Sequence, residues 1–85
     1  MLFQHVRLLI PSYVNSVSSD LKVLAKPTLI IWGEQDQQMP LEYAERLHRE
    51  MPASRLVTIP SAGHLVLFDA PNEVASAITN FIGEL

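Results

Sequence analysis

Asp36 and His64 are the two residues in this sequence whose types and setting could do chemistry together. A carboxylate beside an imidazole accepts a hydrogen bond from one ring nitrogen and fixes the tautomer. It also stabilises the imidazolium that forms when the other nitrogen takes a proton. Histidine suits this work because its ordinary pKa, near ~6.5, lets it take and return a proton around neutrality. The short side chain of an aspartate gives a stiffer support than a glutamate would. Each residue also has a plain reading. Asp36 lies in the polar loop Glu34-Gln35-Asp36-Gln37-Gln38-Met39, ahead of a helical pattern, where aspartate is a common turn-former. His64 follows Gly63, which would free the backbone to aim the ring, but a histidine after a glycine is often structural. Their placement at one sheet edge favours the chemical reading.

The flanking elements create that placement. Leu29 to Trp32 is a run of large apolar residues without polar alternation, bounded by Pro27 and Gly33, which reads as an interior strand of a parallel sheet. Arg55 to Ile59 reads as a second strand, ended by Pro60. Between them, Leu41, Ala44, Leu47 and Met51 form one stripe, with Glu42, Glu45, Arg46, Arg49 and Glu50 mostly opposite, so Leu41 to Met51 is an amphipathic helix with Pro40 near its first turn. Glu42/Arg46 and Glu45/Arg49 are expected i,i+4 pairs. Strand, helix, strand makes a right-handed βαβ unit, and neighbouring strands lie ~4.8 Å apart. Parallel strands end at the same edge, where open α/β sheets bind ligands, so the loops carrying Asp36 and His64 emerge side by side.

A last helix is expected from about Ala70-Pro71-Asn72, with Val74, Ile78, Phe81, Ile82 and Leu85 on its apolar stripe and Asp69 near its positive end. It would cover the sheet face beside the second strand. At the other end, Leu2, Val6, Leu9, Ile10, Tyr13, Val14 and Val17 fall on a helix-like stripe. Pro11 divides it into two short helices, or starts one. Ser19 or Asp20 could cap a further turn through Leu24.

Several other residues have ordinary explanations. Asp69, Glu34 and Glu73 are weaker candidates for the acid. Trp32 reads as core, and His5 and His48 as solvated. Ser12, Ser16, Ser18, Ser19, Ser54, Ser61 and Ser76 include none in a G-x-S-x-G elbow, and Ser61 reads as a loop residue. With three glycines in all, a phosphate-cradling loop is not possible. Six basic and nine acidic side chains give a net charge of −3, too mild and mixed to suggest nucleic acid or an anionic membrane. Zero cysteines exclude disulfides and thiolate metal sites. No apolar run approaches a membrane span, and the start does not read as a signal peptide, so a cytoplasmic protein is expected. The 48% hydrophobic content is that of a globular domain, yet 85 residues hold too few elements to flank strands apolar on both faces. The remaining strands are expected from upstream sequence or another chain.

The ordered set Pro27-Thr28-Leu29-Ile30-Ile31-Trp32-Gly33-Glu34-Gln35-Asp36, Met39-Pro40, Ile59-Pro60-Ser61-Ala62-Gly63-His64 and Ala70-Pro71-Asn72-Glu73-Val74 resembles the C-terminal end of the α/β-hydrolase fold superfamily. The resemblance covers about Leu21 to Leu85. It implies an α/β fragment with two parallel strands and flanking helices in β-α-β-α order over 21–85, preceded by a helical connector or cap end over 1–20. It also implies that Asp36 matches the family's acid and His64 its catalytic base, with no organic cofactor or metal, and a small-molecule substrate, an ester or similar, for the complete enzyme. The nucleophile, serine or aspartate, is missing from this sequence. The expectation is therefore a hydrolase segment that is inactive alone; the alternative is a non-catalytic remnant or interaction module.

Overall fold

The computed structural model describes residues 7–11 and 26–85. Three strands, β1 (Arg7–Leu9), β2 (Thr28–Gly33) and β3 (Ser54–Ile59), form a sheet of order β1-β2-β3. Both pairings are parallel. Helix α1 (Leu41–Glu50) links β2 to β3, and a single turn, α2 (Val66–Asp69), precedes α3 (Pro71–Gly83).

β2 is the central strand and all six of its residues are buried. Its alternation divides the core in two. Leu29 and Ile31 pack with Ile59, Ala62, Val66, Ala70, Val74 and Phe81 beneath α2 and α3. Ile30 and Trp32 pack with Leu9, Ala44 and Met51 beneath α1. A strand covered by helices on both faces needs apolar residues at odd and even positions alike, which is the reason for its continuous hydrophobic run. Pro40 occupies the N-cap of α1 and Pro71 its place at the start of α3, positions where a missing N–H costs nothing.

Two features differ from the expectation. Arg7–Leu9 is a third strand where the sequence suggested helix. Leu9 and Ile10 fall in opposite cores, the two-residue alternation of a strand. A short apolar run is ambiguous in period, and pairing with β2 decides it. Residues 1–6 and 12–20 of the expected helical connector, and the turn through Leu24, lie outside the described residues. β3 is also less buried than β2: Arg55 is exposed and forms an ion pair with Glu84 just beyond α3. On α1, Arg46 engages Glu50 at 3.1 Å rather than Glu42, an exposed pair that contributes little. Leu85 lies past the end of α3 and is exposed.

Candidate active site

The β2–β3 register aligns Gly33 with Ile59, so the two strands end level. Backbone bonds then lace the following loops together. Glu34 N–H donates to Ile59 O at 3.0 Å, and Gln35 N–H to Ala62 O at 2.9 Å. The Gln35 side-chain amide donates to Pro60 O at 3.2 Å. This close approach explains Gly33. A Cβ there would lie 2.6 Å from the Ala62 carbonyl carbon and would meet the Ala62 and Gly63 carbonyl oxygens as well.

Asp36 and His64 meet across this seam. His64 Nδ1 lies 3.0 Å from Asp36 Oδ2, and the Asp36 side chain is fully buried while that of His64 is 21% exposed. With an ionised carboxylate as partner, Nδ1 carries the proton and Nε2 is left basic. The other oxygen, Oδ1, accepts hydrogen bonds from Gln38 N–H and Met39 N–H, each at 2.9 Å. Asp36 is therefore a turn-former and a partner of His64 at once. Burial pushes its carboxyl up, but the Met39 N–H, the His64 ring and the Gln38 N–H together outweigh that and hold it below the usual carboxylate range.

Residues not singled out by the sequence for this site build its walls. Trp32 is core, as expected, but its indole N–H also donates to Met39 O at 2.8 Å, anchoring the far end of the Asp36 turn. Tyr43 stacks on Trp32 with ring centroids 6.1 Å apart. Asp69 does not act on His64 directly; its Oδ2 accepts the Gly63 N–H at 2.8 Å. Gly63 has no positive φ, so the freedom expected of it is not used. Its lack of a side chain matters instead because a Cβ would lie 3.3 Å from the Asp69 carboxylate. Such contacts leave no signature in spacing, since they arise where separate loops touch.

Glu34, Glu73 and Ser61 are exposed, the last in a turn. His48 is exposed as expected, though its Nδ1 lies 2.7 Å from Ser54 Oγ, between the end of α1 and the start of β3. His5 lies outside the described residues. A cleft of about 800 Å³ between β3 and α3 is lined by Arg55, Val57, Ser76 and Phe81 among others, with neither Asp36 nor His64 in its wall. Among the described residues, no three His, Asp or Glu side chains converge to hold a metal ion, and no helix is long and apolar enough to cross a membrane.

A carboxylate–imidazole pair at the carboxyl ends of adjacent parallel strands, in a sheet covered on both faces, marks an α/β protein with its candidate site on that rim. A model of the alpha/beta hydrolase fold matches residues 6–71, and the chain belongs to that family. The match takes in β1 and so begins earlier than the sequence motifs suggested. The uncharacterised hydrolase YugF of Bacillus subtilis is 42% identical over 62 residues, covering 73% of this chain and 23% of YugF. Monoacylglycerol lipase abhd6-A of Xenopus laevis is 30% identical over 71 residues, covering 84% of this chain and 21% of the lipase. The chain thus spans less than a quarter of the length of either relative. Among solved structures, a thermophilic esterase from Thermogutta terrifontis superposes with a TM-score of 0.68 at 32% identity, over 88% of this chain and 24% of the esterase. A CIB-like hydrolase from Thermoplasma acidophilum gives a TM-score of 0.73 at 28% identity, over 85% of this chain and 35% of that protein.

Proposed function

We propose that this chain supplies the acid, Asp36, and the general base, His64, of a nucleophile–histidine–acid triad in a hydrolase of small ester-type substrates. The contact between Asp36 Oδ2 and His64 Nδ1, across two loops that share backbone bonds, is the observation that carries the reading. Asp36 orients the ring and stabilises the imidazolium. Nε2 takes the proton from a serine hydroxyl, or from a water attacking an ester intermediate on an aspartate, and returns it to the leaving group. The nucleophile comes from sequence outside these 85 residues. Relatives named as a lipase and a haloalkane dehalogenase support hydrolysis as the reaction class and leave both nucleophiles in play. No step needs an organic cofactor or a metal, and residues 21–85 carry the two catalytic groups.

The competing reading is a non-catalytic interaction module, favoured by the lack of a nucleophile elbow in the sequence. Turnover of an activated ester such as p-nitrophenyl acetate by the complete protein separates the two. His64→Ala and Asp36→Asn should each lower kcat on the order of 10⁴-fold. Near-normal turnover in His64→Ala would remove His64 from the mechanism.

A further inference from the structure

We propose that Asp69 is a positioning residue for His64, acting through the Ala62–Gly63 peptide, one residue before it. The proposal rests on the triad reading of His64. The loop from Ile59 to Val66 is tied to the β2 rim as far as Ala62, whose carbonyl accepts Gln35 N–H and whose own N–H donates to Ile59 O. The other end of this Ala62–Gly63 peptide faces Asp69. Gly63 N–H is taken up by Asp69 Oδ2 at 2.8 Å. On the other side of His64, Leu65 O accepts Phe68 N–H at 2.9 Å and Asp69 N–H at 3.0 Å. His64 is thus enclosed in a ring that runs from Gly63 to Asp69 and closes through the Asp69 carboxylate, with the Gly63 N–H on one side of it and the Leu65 carbonyl on the other both hydrogen-bonded.

The ring is tight. The Asp69 carboxylate approaches Gly63 so closely that a Cβ there would stand 3.3 Å from it. Among the described residues, Asp69 takes no part in an ion pair; those present are Arg46–Glu50, Arg55–Glu84 and His64–Asp36. An acidic residue beside the start of α3 could act by its charge alone. That alternative separates cleanly, because an asparagine at 69 loses the charge but keeps an oxygen to accept the Gly63 N–H.

The experiment measures ester turnover of the complete protein together with the NMR signal of the hydrogen-bonded imidazole Nδ1 proton of His64. Asp69→Ala should lower kcat by about 10- to 100-fold with KM little changed, since small displacements of a catalytic group cost that much. It should also broaden or abolish the Nδ1 proton signal while the amide spectrum stays dispersed. Asp69→Asn should keep both the signal and most of the turnover. The proposal is overturned if Asp69→Ala keeps signal and kcat, if Asp69→Asn behaves like Asp69→Ala, or if Asp69→Ala unfolds and so assigns the residue to stability. The NMR signal reports the Asp36–His64 geometry whatever the activity. An active His64→Ala would therefore defeat the triad reading, whereas a retained signal in Asp69→Ala defeats only the role given to Asp69.

Discussion

At Asp36 the two carboxylate oxygens have separate tasks. Oδ1 closes a turn by accepting two backbone N–H groups, and Oδ2 receives the His64 ring. A buried carboxylate is costly unless hydrogen-bonded, and three donors to two oxygens meet that condition. Because the folded state holds this carboxyl below its ordinary range, the unfolded chain binds its proton at a higher pH. The associated stability is complete above the unfolded value, about 3.9, and is lost as pH falls through the lower folded one. Asp36→Asn keeps an oxygen for the turn but sets an amide N–H against the imidazole N–H. It should cost about 1–3 kcal/mol at pH 7, and the gap from wild type should narrow toward pH 3 as the unfolded chain takes up the proton ahead of the native carboxylate. Urea unfolding at the two pH values measures this, and an equal gap at both would refute it. The sequence offered turn-former and triad acid as rival readings of this residue. Local spacing shows the turn, but which oxygen is left over depends on a contact with a distant loop.

Among the elements, β2 and β3 meet most closely where their loops cross above Gly33. The geometry there allows no side chain: the Ala62 and Gly63 carbonyls occupy the space a Cβ would need. Both are backbone atoms: the Ala62 carbonyl accepts Gln35 N–H, and Gly63 is held at its N–H by the Asp69 carboxylate, so they have little room to yield. Gly33→Ala should destabilise the fold by about 1–3 kcal/mol, as overpacking does. It should also push the His64 loop from Asp36 and cut kcat in the complete protein by about 100-fold, with a smaller change in KM. Thermal melting and steady-state kinetics together test this; a variant with native stability and turnover would show that the loops can part without consequence. β2, α1, β3 and α3 were legible in the sequence because each has an apolar pattern of sufficient length, bounded by Pro or Gly. β1 was not, because three residues cannot establish a period and the pairing with β2 supplies the order. α2 was not, because a four-residue turn shows no periodicity and is held by Val66 in the core.

On the scale of the whole molecule, a three-stranded sheet brings Asp36 and His64 together on one rim, two of the three groups that the proposed triad needs. Their meeting was legible from topology alone, since parallel neighbours with level ends must put the loops after them on one rim. The contacts that sharpen it, from Trp32, Gly33 and Asp69, join segments distant in the chain or fill space, and no pattern of residue types announces them. The described serines do not complete the site. Ser54 bonds to His48, Ser61 is an exposed turn residue and Ser76 lies on the exposed part of α3. Removing one triad member from a serine hydrolase still leaves about 10³- to 10⁴-fold catalysis over water, which comes from the oxyanion hole and substrate binding. This sequence contains no oxyanion-hole motif either, so even that residue of activity has no source in it. The 85-residue chain expressed by itself should therefore hydrolyse p-nitrophenyl acetate no faster than its His64→Ala variant. Exposed His48 is common to both proteins, so any background hydrolysis by surface imidazole cancels in the comparison. Turnover that rises above that background and disappears with His64 would mean that a nucleophile lies within these residues, and would overturn the proposal that it comes from outside them.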